Sequence, residues 1–249
     1  MYLYYCVVFF LLGLFLGSIY NIIGYCLPKR KLSIYPGFIQ KDFKISFIVL
    51  IPIIGYFLLK FRYKKDISIV NIIVELMSGL LFLISFIKFG LSIQMILGIT
   101  FISMLMIVIV SDYYYMIICD EIIVIFGILL LIELFYIGGI NYFISSMING
   151  IFSFLIMFLI KIIGDFLFKR ESMGGGDIKL LFIFGLVLRI PLSLFSIFLG
   201  SIIALPVSLI ILKSNSSHEI PFGPFLSMAA IILLFFGNSL IKLLISILR

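Results

Sequence analysis

Apolar stretches long enough to cross a lipid bilayer recur along almost the whole chain, and this feature limits the fold more than any other. Hydrophobic residues make up 64% of the 249 residues and the mean hydropathy is +1.38, whereas ordinary soluble chains are close to half apolar. The long runs of Ile, Leu and Phe lack the period-two alternation of β-barrel strands. The sequence therefore predicts an all-α, polytopic membrane protein.

The apolar windows predict about eight transmembrane helices. The first window has neither a basic region ahead of it nor a small-residue cleavage site after it, so we interpret it as a retained span and not as a signal peptide. The apolar segment 46–59 contains Pro52 and Gly55, and an interfacial or protein-buried position is favoured for it over a further span. The eight spans are placed at 3–25, 67–87, 91–111, 120–137, 143–167, 178–190, 192–212 and 225–247.

The distribution of basic residues predicts the orientation in the membrane. The loop between the first two spans carries nine of the eighteen lysines and arginines, and loops of this kind lie in the cytoplasm. Alternation of the spans then places 112–119, 168–177 and 213–223 on the same side and the N-terminus outside. Topology and anionic lipid account for the net charge of +7, so no nucleic-acid partner is expected.

Two aspartates at predicted span ends are the main candidates for chemistry. Asp177 directly follows Gly174, Gly175 and Gly176, and Asp112 follows the third span. The charge distribution independently places both carboxyl groups on one side of the membrane. Two carboxyl groups held close together do not both ionise readily, so one keeps its proton and the other acts as a base. This pattern indicates acid/base chemistry on a peptide bond without a metal ion.

The residues around these aspartates resemble the type IV prepilin peptidases, which are membrane aspartic proteases. The run Gly174–Asp177 matches the GxGD signature of that family. Asp112, followed by Ile118-Cys119-Asp120, matches its first-aspartate motif, except that Cys119 stands where the family has proline. Further blocks that resemble the family occur in the family's order, namely 17–28, 51–56, 74–82 and 220–225.

The resemblance implies a fold, a reaction and a set of residues. It implies a GxGD aspartic protease core in 67–249, preceded by a region, 1–66, that contains the first span and the basic loop. Enzymes of this family remove the leader of prepilins and pseudopilins after a glycine, at the cytoplasmic face of the bacterial inner membrane. By position, Asp112 and Asp177 inherit the catalytic roles. The active-site loop would comprise Gly174, Gly175, Gly176 and Lys179.

The N-terminal region departs from many members of the family. Those members carry two Cys-x-x-Cys pairs in the first cytoplasmic loop, a spacing typical of a zinc site. Here the corresponding positions read Ile-Gln-Lys-Asp at 39–42 and Arg-Tyr-Lys-Lys at 62–65. No metal site is therefore expected, and Cys6, Cys26 and Cys119 are interpreted as reduced structural residues. Many members also methylate the new N-terminus with S-adenosylmethionine, and for this chain that activity stays open.

Other acidic residues keep alternative interpretations. Asp120 competes with Asp112 for the role of first catalytic aspartate, but an N-cap of the fourth span is favoured for it. Glu75 either binds the prepilin or pairs with a basic residue of the first loop. Both belong to the predicted set of substrate-binding residues. Asp177 by itself is also compatible with a simple helix N-cap.

A polytopic transporter, or an inactive membrane scaffold, is the alternative function class. Transporters commonly show internal repeats with matching broken helices and acidic residues along a path through the bilayer. The two halves of this sequence show no duplication, and its acidic residues gather at one predicted face. Both features favour the peptidase.

Overall fold

The computed structural model describes residues 1–29, 69–169, 171–213 and 220–247, and every regular element in that part of the chain is a helix. Each long helix contains an apolar window that could cross a membrane. The predicted all-α, polytopic membrane architecture is thus confirmed. The long helices are α1 (Tyr2–Cys26), α2 (Ile69–Phe89), α3 (Ile93–Tyr115), α4 (Asp120–Phe168), α5 (Gly175–Lys213) and α6 (Gly223–Ile247).

The described residues thus form six long helices, against the eight spans predicted, because two of the six each cover two predicted spans. α4 has 49 residues and α5 has 39. Straight helices of these lengths would measure roughly 74 and 58 Å, about twice the hydrocarbon thickness of roughly 30 Å. Each contains a non-helical break, at Gly138 and Gly139 in α4 and at Arg189 in α5. The predicted boundaries between spans four and five, and between six and seven, lie next to these breaks.

The chain reverses direction at the break in α4, because one end of this helix contacts the first turns of α5 and the other contacts the loop just before α5. At one end, the Asp120 carboxylate lies 2.6 Å from Lys179 Nζ. At the other, Asp165 Oδ1 accepts a hydrogen bond of 2.6 Å from the Ser172 amide. The reversal depends on Gly139, whose φ of 66° and ψ of −163° lie in a region that is essentially restricted to glycine.

The break in α5 has a similar backbone conformation but is made by an arginine. Arg189 has φ 66° and ψ 167°, which is strained for a residue with a Cβ. Its guanidinium lies 5.0 Å from the centre of the Tyr142 ring, a cation–π contact. Asn149 Oδ1 accepts a hydrogen bond of 3.3 Å from the amide of Ile190. Two side chains from the second segment of α4 therefore support the break in α5. One contacts the side chain of Arg189, and the other accepts from the main chain of Ile190.

The helices form two compact units, Met1–Tyr115 with α1 to α3 and Met116–Arg249 with α4 to α6. Within the first unit, small residues let α1 approach α2 closely. A Cβ at Gly13 would lie 2.5 Å from the Ser78 carbonyl oxygen, and one at Gly17 would lie 2.7 Å from Cα of Glu75. Glycines spaced four residues apart are a common device for packing helices inside membranes.

Replacement of Gly17 by alanine is expected to destabilise the first unit. The added methyl group has no room against the α2 backbone, and overpacking of this kind typically costs about 1–3 kcal/mol. The measurement is the thermal unfolding midpoint of the detergent-solubilised protein. Phe15→Ala, at a side chain that is 47% exposed, is the control and should unfold near the wild-type temperature. Equal midpoints for Gly17→Ala and the wild type would contradict this account of the packing.

Within the second unit, α5 packs against both α4 and α6. A Cβ at Gly185 would lie 2.6 Å from the carbonyl oxygen of Asn149, and the hydroxyl groups of Ser153 and Ser193 are hydrogen-bonded at 2.7 Å. The buried core of this unit includes Leu130, Leu134, Met157, Leu180, Phe184 and Leu226. The predicted domain boundary between residues 66 and 67 lies outside the described residues and stays a prediction.

Candidate active site

Asp177 lies in the first turn of α5, which begins at Gly175. Its side chain is only 7% exposed. The free amide groups and the dipole at a helix N-terminus favour a negative charge at this position. The helix therefore begins three residues before the predicted start at 178, and Asp177 belongs to it. The burial distinguishes this residue from an ordinary solvated capping aspartate.

Asp112 lies in the last turn of α3, which continues to Tyr115. The predicted span ends at 111, whereas the helix includes Asp112. Its side chain is 5% exposed. A carboxylate near a helix C-terminus is disfavoured by the helix dipole, and burial adds a further cost. Neither local propensity nor solvation accounts for an acidic residue there, which supports a functional role.

The two aspartates belong to different units, Asp112 to the first and Asp177 to the second. In each unit the aspartate lies within one turn of the end of a membrane helix and is buried. Buried carboxyl groups are suited to proton transfer, because removal from water shifts the balance between their charged and neutral forms. Each unit thus holds one buried carboxyl group near a helix end, and the predicted pairing of the two aspartates stays a prediction.

The three glycines ahead of Asp177 differ in their surroundings. A Cβ at Gly176 would lie 2.8 Å from Cβ of Ile118, in the segment that leads into α4. A Cβ at Gly175 would have no heavy atom within 4 Å, and one at Gly174 would make only an ordinary contact, 3.6 Å from Asp177 Oδ2. Only Gly176 is therefore required by close packing within the second unit.

Lys179 pairs with Asp120, not with a residue of its own helix. The Nζ and Oδ1 atoms are 2.6 Å apart, and the two side chains are 46% and 64% exposed. An ion pair this exposed contributes at most about 1 kcal/mol to stability. The N-cap of α4 is Cys119, without a side-chain capping bond, so the favoured interpretation of Asp120 as N-cap is wrong. Asp120 is instead the first residue of α4 and links it to the beginning of α5.

Glu75 is buried between α1 and α2, where it accepts a hydrogen bond of 2.9 Å from Ser18. One turn away, Asn21 Nδ2 donates to the carbonyl oxygen of Asn71 at 2.9 Å, and the Tyr114 hydroxyl donates to Asn71 Oδ1 at 3.3 Å. Asn71 was not among the predicted site residues. Ser18 and Asn21 lie in the N-terminal block that resembles the family, and their polarity inside an apolar span was the available signal.

Cys119 occupies the position where the family motif has proline. Its side chain is buried, and burial raises the pKa of the thiol, with further increases from the charges of Glu121 and Asp120. A raised pKa leaves less of the reactive thiolate at neutral pH. Both features are expected of a reduced structural cysteine, and this role of Cys119 stays a prediction.

The raised pKa predicts slow alkylation of Cys119. In a variant that retains only this cysteine (Cys6→Ala, Cys26→Ala), the rate of modification by N-ethylmaleimide at pH 7.5 should be about tenfold lower or more than after denaturation. Since the neutral form persists as pH rises through the ordinary thiol range, the rate should increase only at higher pH. Mass spectrometry of the intact protein measures the modified fraction. Equal rates in the folded and denatured protein would refute the prediction.

Several predictions concern residues outside the described part of the chain. These are the apolar segment 46–59, the positions 39–42 and 62–65 where zinc cysteines would fall, and most of the basic loop. They stay predictions.

Comparison with known proteins gives two family matches. The model of the type IV leader peptidase family matches residues 99–209, a stretch that contains Asp112, Asp120 and Asp177. The model of the bacterial peptidase A24 N-terminal domain matches residues 11–89. The chain is also 27% identical, over 94% of its length and 96% of the relative's, to the prepilin leader peptidase/N-methyltransferase of Bacillus subtilis (strain 168). No solved structure matches significantly.

Proposed function

The chain belongs to the type IV leader peptidase family, and on that premise we propose that Asp112 and Asp177 together cleave the leader peptide from a prepilin or pseudopilin. The prepilin peptidase activity follows from the family. The assignment of the two residues is supported by their burial at the ends of two membrane helices, within the stretch that the peptidase model matches.

The proposed reaction needs one ionised and one protonated carboxyl group. The ionised group takes a proton from a water molecule as the water oxygen attacks the carbonyl carbon of the scissile bond. The protonated group donates its proton to the carbonyl oxygen. Collapse of the tetrahedral intermediate breaks the C–N bond, and the proton first taken from water passes to the leaving nitrogen. One hydroxyl proton of the intermediate returns to the carboxylate that had protonated the carbonyl oxygen, which restores the starting pair. The products are a carboxyl group on the leader and a free amino group on the pilin.

The proposed cellular site is the cytoplasmic face of the bacterial inner membrane, with cleavage after a glycine. The multi-pass character follows from the apolar helices. The orientation rests on the nine basic residues between the first two spans, which favour the cytoplasmic side. The lipid bilayer is thus a structural partner, and the prepilin approaches from the cytoplasm.

The two substrate-binding candidates, Asp120 and Glu75, differ in their exposure to solvent. The side chain of Asp120 is 64% exposed, so it is accessible to a basic leader. Glu75 is buried and bonded to Ser18, which supports a role in the packing of α1 against α2. We therefore propose Asp120 as the acidic residue that meets the leader, and Glu75 as a structural residue of the first unit.

N-methylation of the new amino terminus is a second activity to be tested. It would use S-adenosylmethionine as the methyl donor. Among the described residues of the first unit, Ser18 and Glu75 bond to each other and Asn21 to the main chain of Asn71. These side chains therefore serve the packing of α1 against α2. The peptidase steps above do not involve S-adenosylmethionine.

Mass spectrometry of a co-expressed prepilin tests the proposal. The expected product begins immediately after the glycine that ends the leader, and any added methyl group on that terminus is read from the same spectrum. A prepilin that stays full-length beside the correctly inserted wild-type protein would overturn the peptidase assignment. Cleavage without methylation would separate the two activities.

A further inference from the structure

We propose that Asp165 is a positioning residue for the peptidase reaction, because it anchors the loop that delivers Asp177. This inference rests on the proposed function. Asp165 lies in the last turn of α4, and Asp177 lies twelve residues later in the first turn of α5. They are connected by a short loop that ends at Gly174, and the other two glycines of the run begin α5.

Asp165 binds this loop through one carboxylate oxygen. Asp165 Oδ1 accepts hydrogen bonds from the main-chain amide of Ser172 at 2.6 Å and from its hydroxyl group at 2.7 Å. The same hydroxyl lies 3.3 Å from the carbonyl oxygen of Lys161. Bonds to an ionised acceptor are stronger than neutral ones. Ser172 is therefore held against the end of α4 by its side chain and its backbone.

The packing around Ser172 fits this anchor. A Cβ at Gly164 would lie 2.6 Å from the Ser172 hydroxyl oxygen, so glycine at this position gives the loop room to lie against the helix. Lys169 ends α4 in the left-handed conformation, with φ 51° and ψ 30°. These features turn the chain back toward α4 immediately before the glycine run.

An acidic residue at this place needs a reason. The C-terminal end of a helix dipole is negative, so a carboxylate in the last turn is disfavoured. The two hydrogen bonds from Ser172 offset the unfavourable interaction of the carboxylate with the helix dipole, and they also fix the loop against α4.

The glycine run makes such an anchor necessary. Gly174 precedes α5, and a Cβ at Gly174 or Gly175 would meet no close neighbour, so side-chain packing does not fix the backbone at these two glycines. The N-terminal side of Asp177 is therefore held by the Ser172 anchor and by the packing of Gly176 against Ile118. Without the first, the carboxyl group of Asp177 moves relative to the substrate, and a misplacement of about 1 Å can lower a rate about 100-fold.

Two variants at the same position test the proposal. Asp165→Ala removes the acceptor, and the rate of leader removal at saturating prepilin should fall about 10- to 100-fold. Asp165→Asn keeps an oxygen that accepts from Ser172, and its rate should stay within about threefold of the wild type. A merely electrostatic role of Asp165 would instead make the two variants equally slow. Wild-type rates in Asp165→Ala would also overturn the proposal.

Hydrogen–deuterium exchange separates this inference from the proposed function. The amides from Ser172 to Asp177 should exchange faster in Asp165→Ala than in the wild type, and Asp165→Asn should retain most of the protection. This result does not depend on cleavage. If the wild-type protein cleaves no prepilin, the proposed function fails even when exchange changes as expected. If exchange at these amides is unchanged in Asp165→Ala, the anchor fails whatever the activity.

Discussion

Replacement of either Asp112 or Asp177 by asparagine is expected to abolish leader removal. Asparagine keeps the size and shape of aspartate, but its carboxamide group can neither take up nor release a proton near neutral pH. Loss of one general acid or base typically costs about 10²–10⁴ in rate, and in the proposed mechanism both proton transfers use these two residues. The measurement is the initial rate of prepilin cleavage by purified enzyme in detergent or in vesicles.

Asp120→Asn is the matched variant that tests the choice of aspartate. Asp120 is exposed and pairs with Lys179, whereas Asp112 is buried. We expect Asp120→Asn to raise KM for a basic leader and to leave kcat within about threefold, since it removes only binding that is uniform between substrate and transition state. Loss of cleavage in Asp120→Asn alone would transfer the catalytic role to Asp120. Persistence of cleavage in both Asp112→Asn and Asp177→Asn would rule out the two-aspartate mechanism.

The membrane architecture could be predicted from composition because the bilayer permits few solutions. Long apolar windows must be helices when every backbone group needs an internal partner, and the helix ends at Cys26, Phe89 and Ile247 lie within about two residues of the prediction. The breaks in α4 and α5 lie next to predicted span boundaries, and Gly138 and Gly139 are a readable signal for a turn. The positive φ of Arg189 was not predicted, because a residue with a Cβ rarely adopts it.

In the candidate site, too, some residues could be predicted from the sequence and some contacts could not. Asp112 and Asp177 were identifiable because their motifs are local, with a fixed spacing and a glycine run. The partners of two other aspartates were not: Lys179 reaches Asp120 only because α4 reverses, and Ser172 reaches Asp165 because the chain turns back after Lys169. Interactions that depend on how a broken helix folds back require the three-dimensional arrangement.

Gly176→Ala is expected to cause the second largest loss of activity, while Gly175→Ala should stay close to the wild type. The added Cβ at Gly176 would lie 2.8 Å from Ile118 Cβ, whereas at Gly175 it would have no heavy atom within 4 Å. The first turn of α5 must shift to relieve the overlap, and Asp177 is the next residue. A shift of about 1 Å corresponds to a loss of about 100-fold in the rate of cleavage.

A second substitution tests whether the overlap with Ile118 is the cause. Ile118→Gly removes the three side-chain atoms that lie nearest to the new methyl group, so the double variant Gly176→Ala, Ile118→Gly should recover activity relative to Gly176→Ala alone. Two residues in contact are expected to show such a non-additive effect. The initial cleavage rates of the four proteins of this cycle supply the measurement. Additive losses would mean that Gly176 is needed for a reason other than its contact with Ile118, such as the approach of the substrate backbone.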